Sequence, residues 1–166
     1  GLSDLEKLRA YAKEICMLTE YNMGAAYDSS TPYGNPWQLI WVFDGDDGTT
    51  VVCEGYAKAF QYLCDRSSFQ SNIVCYSVTG RMNSEEHMWN IVHMDDGQNY
   101  LVDLTNADIG ESMNEALFLA GSEDGDGTTG YRITDADSGV NIHLRKVPCK
   151  FLTVVEKRVS LNHHTG

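Results

Sequence analysis

The sequence predicts a single α+β domain that spans residues 1–166. Two segments with helical periodicity come first and three strand-like segments follow them: residues 3–21 and 53–64, then 73–79, 87–94 and 99–105. Helices and strands that are grouped separately along a chain are typical of an α+β fold. A chain of 166 residues is long enough for one domain with one sizeable core, and no repeat or linker divides the sequence.

The first predicted helix covers residues 3–21. Its apolar side chains recur at helical spacing and are expected to pack on the core: Leu5, Leu8, Ala12, Ile15 and Leu18. Ser3 and Glu6 have the spacing of a capping box, in which each side chain accepts a hydrogen bond from the other residue's backbone N–H. Residues 22–36 are dense in turn-forming residues, which predicts a loop.

The second predicted helix covers residues 53–64. Residues 37–43 before it are strongly apolar and fit either a short helix or a strand. Residues 44–48 predict a turn, after which Thr49 and Thr50 are candidate capping residues for the helix. The helix carries an apolar stripe: Tyr56, Ala57, Phe60, Leu63 and Cys64.

The strand-like segments occupy the middle of the chain. Residues 73–79 are rich in β-formers, whereas residues 87–94 and 99–105 alternate between apolar and polar side chains. Asp95-Asp-Gly97 between the last two predicts a hairpin turn. Further along, the sequence predicts a short helix, a loop and two late strands: residues 113–119, 122–130, 142–144 and 151–155.

Cys53, His87 and Asp103 supply the three side chains that acyl-transfer chemistry requires. A thiolate attacks a carbonyl, an imidazole transfers the proton, and a carboxylate orients the imidazole. Cys53 begins the second predicted helix, where the partial positive charge of the first turn favours the thiolate. Gly55 beside it would let a substrate or a second element approach closely. Asp103 lies within an apolar strand, where a carboxylate needs a partner.

Each of these residues has an alternative. Cys53 could be a small buried apolar residue. His93 lies on the same predicted strand face as His87 and competes with it for the catalytic role. Asp103 could face solvent at the end of its strand, and Asp108 is the second candidate carboxylate.

The geometry of the predicted hairpin bears on whether His87 and Asp103 can meet. A two-residue turn would put the two side chains on opposite faces of the sheet. A three-residue loop over residues 95–97, with its glycine left-handed in a bulge, would instead pair Met94 with Gln98. His87 would then be the diagonal neighbour of Asp103, about 7–8 Å away between backbones and within side-chain reach. A catalytic role for both residues therefore predicts the three-residue loop.

The charge of the chain limits its partners. There are 12 Lys and Arg against 24 Asp and Glu, a formal net charge of −12. Such a surface repels nucleic acid and anionic membranes, and no apolar run is long enough to span a bilayer. We therefore expect no nucleic-acid partner. The Lys-poor composition is compatible with an extracellular or cell-surface location, with the cytoplasm as the alternative.

The chain has five cysteines and no C-x-x-C pair, which argues against a zinc ribbon or a redox motif. An odd count fits one reactive thiol beside four others. Cys16, Cys64, Cys75 and Cys149 are then either small buried apolar residues, which we favour, or disulfide partners.

Two acidic segments, residues 44–48 and 123–127, invite a calcium-binding interpretation. Neither has the glycine at the sixth position and the glutamate at the twelfth that an EF-hand loop needs. We interpret both as solvated turns and His163-His164 as part of a tail, and we expect neither a metal nor a cofactor.

Three segments resemble motifs of the transglutaminase-like superfamily, the papain-related group of transglutaminases, bacterial cysteine peptidases and peptide N-glycanases. They occur in the family's order and spacing, over about residues 50–108: Val52-Cys-Glu-Gly-Tyr-Ala-Lys-Ala-Phe60, Glu86-His-Met-Trp-Asn90 and Tyr100-Leu-Val-Asp-Leu-Thr-Asn-Ala-Asp108. Three ordered motifs are more specific than any one of them alone.

The resemblance implies a papain-like core, in which a helix that bears the nucleophile packs on an antiparallel sheet that carries the histidine and the aspartate. Cys53 corresponds to the nucleophile, His87 to the general base and acid, and Asp103 to the orienting carboxylate. Trp89 and Asn90 would support His87.

The resemblance also implies an oxyanion hole. The backbone N–H of Cys53 is one expected donor. The second donor is open: the family often places an aromatic or amide side chain upstream, which makes Trp37, Gln38 and Trp41 candidates, and each of them could equally be a packing residue.

The function that the resemblance implies first is thiol-dependent hydrolysis of peptide or amide bonds, as in a bacterial cysteine peptidase. The resemblance of residues 50–108 likewise implies a protein or peptide substrate. In that family the acyl group of the thioester is transferred either to water or to another amine. Transglutaminase-type acyl transfer, giving cross-links or deamidation, is therefore the second hypothesis. A binding module that keeps the fold without turnover is the third, and the intact set of three catalytic side chains argues against it.

Overall fold

The computed structural model describes residues 1–26, 33–121, 130–136 and 149. Within them, the helices are α1 (Asp4–Leu18), α2 (Met23–Ala26), α3 (Trp37–Val42), α4 (Cys53–Asp65) and α5 (Leu104–Ala107). The strands are β1 (Val74–Met82), β2 (Glu85–His93), β3 (Asn99–Val102), β4 (Phe118–Ala120) and β5 (Tyr131–Ala136). A 3-10 turn, Glu115–Leu117, leads into β4. This combination of helices and sheet confirms the predicted α+β class.

The five strands form one antiparallel sheet in the order β4-β3-β2-β1-β5. Helix α4 docks on the middle of this sheet, where the backbone carbonyl of Ala57 accepts hydrogen bonds from Asn90 at 2.9 Å and Ser77 at 3.4 Å. Residues 87–92 of β2 are all buried, so both faces of this central strand are covered. The strand that carries His87 is therefore held rigidly from both sides.

Helix α1 forms largely as predicted. Ser3 accepts from the backbone N–H of Glu6 at 3.2 Å, and Glu6 accepts from that of Ser3 at 2.7 Å, which confirms the capping box. Leu8 and Ile15 are buried in the core. The helix ends at Leu18 rather than at residue 21, and Leu18 is largely exposed.

The approach to α4 differs from the prediction in one respect. Residues 37–42 form α3, which decides between the two predicted alternatives in favour of a helix. The prediction that Thr49 or Thr50 caps α4 is wrong, because the N-cap is Val52 and its side chain makes no capping hydrogen bond. The N–H of Val52 donates instead to Oε1 of Gln38, at 2.9 Å. A side chain from α3 thus fixes the residue before α4 without capping the N–H groups of its first turn.

The β2–β3 hairpin has the predicted three-residue loop. The N–H of Met94 donates to the carbonyl of Gln98 at 2.9 Å, and Gly97 has a φ of +74°. The ladder continues from His93 opposite Asn99 to Asn90 opposite Val102. This register confirms the hairpin that brings the His87 and Asp103 positions to the same face.

The chain after β3 departs from the predicted pattern. Strand β3 ends at Val102, and Asp103 is the N-cap of α5 rather than a strand residue. The prediction of a helix at residues 113–119 is wrong in extent. Only Glu115–Leu117 is helical, as a 3-10 turn, and β4 follows it directly. The predicted late strands at 142–144 and 151–155, the loop at 122–129, and His163-His164 lie outside the described residues.

The cysteines other than Cys53 are buried apolar side chains. Cys16, Cys64 and Cys75 are free thiols with little exposure, which confirms that interpretation for these three, and Cys149 is buried too. Burial raises the pKa of Cys16 to about 12 and that of Cys75 well above its ordinary value. Both side chains are therefore neutral and poorly reactive at physiological pH.

Within the described part of the chain, no helix is both long and apolar enough to cross a membrane.

Candidate active site

Cys53 is the first residue of α4, as the sequence predicts. Its side chain is 7% exposed and packs against Ala57 and Met88. The first N–H groups of a helix have no acceptor within it, and the helix dipole is positive at this end. The N–H of Gly55 donates to the Val52 carbonyl at 2.9 Å. Because Val52 supplies no side-chain cap, no capping side chain competes with a ligand for the N–H groups of Cys53 and Glu54.

His87 lies on β2 with 6% of its surface exposed. Its Nε2 is 2.8 Å from Oδ2 of Asp103, and its ring stacks on that of Trp89 with centroids 5.8 Å apart. Since Nε2 is engaged by the carboxylate, Nδ1 is the ring nitrogen that remains for the thiol. Cys53 lies close enough to the imidazole for its charge to help raise the pKa of His87.

The charges of the site favour a protonated His87. Burial alone lowers the pKa of His87, but its hydrogen bond to Asp103 and its interactions with the negative charges of Asp103 and Cys53 outweigh burial and raise the pKa to about 10. Burial alone raises the pKa of Asp103, yet the hydrogen bonds and charge of His87 bring it below its ordinary value. At neutral pH the pair is therefore an imidazolium and a carboxylate.

Asp103 is 1% exposed and fully satisfied by donors. Besides His87, its Oδ2 accepts from Nδ2 of Asn106 at 2.7 Å and from the hydroxyl of Tyr131. Its Oδ1 accepts from the backbone N–H of Asn106 at 3.3 Å, which is the N-cap bond of α5. These charge-assisted bonds offset the cost of burying a carboxylate.

Tyr131 and Asn106 are site residues that the sequence reasoning missed. Asn106 lies three residues after Asp103, a capping distance, so a cap interpretation of Asp103 would have indicated it. Tyr131 begins β5 and reaches the site only because β5 pairs with β1. It also packs edge-on against Trp89, with centroids 5.1 Å apart. No local pattern in the sequence predicts that contact.

The competing histidine and carboxylate have other partners. Nδ1 of His93 is 2.9 Å from Oδ1 of Asn99, its cross-strand neighbour at the far end of β2. Asp108 accepts from the hydroxyl of Tyr56 at 2.6 Å and thereby ties α4 to the segment after α5. Both contacts are structural, so the structure brings His87 and Asp103 together and leaves the competitors apart.

Of the three upstream candidates for an oxyanion donor, Gln38 is the one tied to the nucleophile. A backbone N–H can only donate, so the atom of Gln38 that faces Val52 must be its oxygen, and Nε2 remains as a donor on the same amide. Gln38 is 3% exposed, whereas Trp37 is 56% exposed. Trp41 is half-buried and packs against the core.

Of the two residues expected to support His87, Trp89 contacts it and Asn90 does not. Trp89 stacks on the imidazole, as described above, and its Nε1 has no hydrogen-bond partner among the described residues. The side chain of Asn90 is directed away from His87. Its Nδ2 donates to the carbonyl of Ala57, as noted for the docking of α4, and also to the Tyr76 carbonyl and to Ser77 Oγ, each at 3.3 Å. Asn90 therefore fixes the nucleophile helix to the sheet and does not contact the histidine.

Two clefts open beside these residues. One, of about 570 Å³, includes His87, Asn106, Met82 and the carboxylate-bearing residues Glu85 and Glu86 in its wall. The other, of about 380 Å³, is lined from the α4 side: Tyr33, Gly34, Glu54, Lys58, Gln61, Ser77, Thr79 and Met88. The larger cleft therefore reaches His87, whereas the smaller one reaches Glu54 and Met88, the neighbours of Cys53.

Among the described residues, no group of three or more His, Cys, Asp or Glu side chains could hold a metal ion. The turn at residues 44–48 is closed by its own aspartates, since Asp44 and Asp46 each accept a backbone N–H at 2.9 Å.

No protein-family model matches the chain, and no curated protein matches it with significance. The resemblance of residues 50–108 to the transglutaminase-like superfamily therefore stays a prediction from the three sequence motifs.

Proposed function

We propose that the chain is a thiol-dependent amide or peptide hydrolase with a papain-like core of the transglutaminase-like type. One observation carries the proposal: a buried Asp103–His87 pair, joined at 2.8 Å, lies close enough to Cys53 at a helix N-terminus for the charge of Cys53 to help raise the pKa of His87. The three side chains come from α4, β2 and the start of α5, and their arrangement has the order of roles that acyl transfer needs.

In the first half-reaction, the Cys53 thiolate attacks the amide carbon and forms a C–S bond, while the carbonyl π electrons move to the oxygen. The backbone N–H of Cys53 and Nε2 of Gln38 are the donors for this oxyanion. The His87 imidazolium gives its proton to the amide nitrogen, the C–N bond breaks, and the amine leaves. A thioester and a neutral imidazole remain.

In the second half-reaction, His87 takes a proton from water and the resulting oxygen nucleophile attacks the thioester carbon. Collapse of this intermediate breaks the C–S bond, releases the carboxylic acid and restores the thiolate and imidazolium. Asp103 stays ionised throughout and holds the imidazole by its Nε2–H, because its pKa lies below the ordinary value.

Aminolysis of the same thioester is the second candidate function. The cleft beside His87 favours it, because Glu85 and Glu86 in its wall would attract a cationic amine into a cleft that His87 also lines. An amine in place of water would give a new amide bond.

Incubation of the protein with casein and a fluorescent primary amine tests both functions in one assay. We expect Cys53-dependent release of casein fragments, and label incorporated into casein would instead support aminolysis. Cys53→Ala should abolish either product, whereas Cys16→Ala should retain it. Turnover that survives Cys53→Ala, or the absence of both products, would contradict the proposal.

A further inference from the structure

Tyr33 lies directly against the nucleophile. Its hydroxyl is 3.9 Å from Sγ of Cys53, which is within hydrogen-bonding distance for sulfur, and its side chain is 41% exposed. Tyr33 forms one wall of the smaller cleft. Tyr33 therefore joins the sulfur of Cys53 to the wall of the smaller cleft.

Glu54 fastens the Tyr33 segment to α4. Its Oε1 accepts from the backbone N–H of Gly34 at 2.8 Å and from Nζ of Lys58 at 2.5 Å. The carboxylate is 2% exposed, although it neighbours the nucleophile, where a second negative charge opposes the thiolate. Burying the Glu54 carboxylate lowers the stability of the fold. We therefore attribute its presence to the tethering of the Tyr33 segment rather than to stability.

We propose that Tyr33 is a further catalytic residue whose hydroxyl donates a hydrogen bond to the Cys53 sulfur, and that Glu54 is the positioning residue that holds it there. This inference rests on the proposed function. Burial first, and then the charge of Cys53, raise the pKa of Tyr33, so the phenol keeps its proton at neutral pH and can only donate to a thiolate.

The role of Tyr33 differs from that of the oxyanion donors. Cys53 N–H and Gln38 face the substrate oxygen, whereas Tyr33 contacts the sulfur itself. A donor to the sulfur stabilises the thiolate in the resting enzyme and the thiolate leaving group when the thioester breaks down. The charged groups that bear on this contact are Glu54 on α4 and His87 and Glu86 on β2.

Alkylation of Cys53 by iodoacetamide across pH, followed by peptide mapping, tests the donor without any substrate. Tyr33→Phe should raise the midpoint pH of Cys53 alkylation by about one unit, the effect of one charge-assisted hydrogen bond. Tyr62→Phe is the matched control, because Tyr62 lies on α4 and packs against Phe43 instead. A shift below about 0.3 units with Tyr33→Phe would overturn the role of Tyr33.

A double-mutant cycle tests the tether, because it cancels the direct charge effect of Glu54 on the sulfur. In a Glu54→Ala background, Tyr33→Phe should no longer shift the midpoint. In a Glu54→Gln background most of the shift should persist, since the amide oxygen still accepts from Gly34. An equal shift in the wild-type and Glu54→Ala backgrounds would overturn the positioning role.

These outcomes are distinguishable from failure of the proposed function. The cycle reports on the thiol and not on turnover. If Tyr33→Phe shifts the alkylation midpoint as expected but the protein does not cleave casein, the hydrolase proposal alone is overturned. If the protein cleaves casein but Tyr33→Phe causes no shift, the Tyr33 inference alone is overturned.

Discussion

Asp103 is the residue on which the site's electrostatics depend. It caps α5, it is buried, and it accepts from His87, Asn106 and Tyr131 at once. One carboxylate therefore fixes the imidazole, closes a short helix and joins β5 to the site. Replacing it changes both chemistry and folding, and these effects have to be measured separately.

Asp103→Asn should lower kcat for amide hydrolysis by about 10²–10⁴-fold, the general effect of losing an orienting carboxylate. The amide has one acceptor oxygen and no charge, so it cannot hold the imidazolium as Asp103 does. Asp108→Asn is the control, since Asp108 bonds to Tyr56 away from the thiol. A kcat that falls equally in both variants would mean that Asp103 acts through stability alone.

His87 should make the stability of the fold depend on pH. Its pKa is raised from 6.5 to about 10 in the folded protein, so the folded state binds this proton more tightly than the unfolded state. The resulting stabilisation is complete below about pH 6.5 and is lost as pH rises towards about 10. The difference in unfolding free energy between wild type and His87→Gln should therefore shrink over that window.

Urea unfolding followed by circular dichroism at several pH values measures this difference. Val78→Ala serves as the control, because it removes buried apolar surface and no titrating group. Its cost should stay constant with pH. A His87→Gln cost that is also constant would contradict the raised pKa.

At the scale of elements, the junction of α3 and α4 sets the position of the thiol. A Cβ on Gly55 would come 2.6 Å from Cβ of Val51 and 3.1 Å from the Gln38 carbonyl oxygen. The glycine lets the first turn of α4 approach α3 closely, which is the second-element approach that the sequence suggested. The same closeness lets Gln38 reach the backbone of Val52.

Gly55→Ala should therefore push α4 away from α3. We expect a loss of about 1–3 kcal/mol in unfolding free energy, typical of overpacking, together with slower alkylation of Cys53. Gly24→Ala is the matched control, because a Cβ there meets only the Asn22 side chain at an ordinary 3.5 Å. Normal stability and reactivity in Gly55→Ala would show that the junction tolerates displacement.

Local patterns predicted the elements whose stability is local, and missed those that depend on distant pairing. The capping box of α1 and the stripe of α4 are written in neighbouring residues and formed as expected, whereas the three-residue form of the 95–97 loop followed from the requirement that His87 and Asp103 meet. Asp103 was assigned to a strand because it directly follows the last residue of β3 and precedes α5. Residues 131–134 alternate apolar and polar side chains, a strand pattern that the prediction overlooked, but the pairing of β5 with β1 that brings Tyr131 to the site has no local signal.

For the whole molecule, the excess of acidic residues should influence substrate choice. The net charge of −12 creates a negative potential that attracts cations, and salt screens it. We expect kcat/KM for a Lys-rich peptide to exceed that for a Glu-rich peptide of equal length. The ratio should fall between about 10 mM and about 300 mM salt. A ratio that does not change with salt would assign the preference to local contacts instead.

Iodoacetamide labelling of the native protein at about pH 6, with the rate at each cysteine resolved by peptide mapping, tests whether His87 activates the Cys53 thiol. We expect Cys53 to react at least about tenfold faster than Cys16, Cys64 and Cys75, and we expect His87→Gln to remove this advantage. Labelling of Cys53 no faster than that of the other three, or an advantage that survives the loss of His87, would contradict this activation.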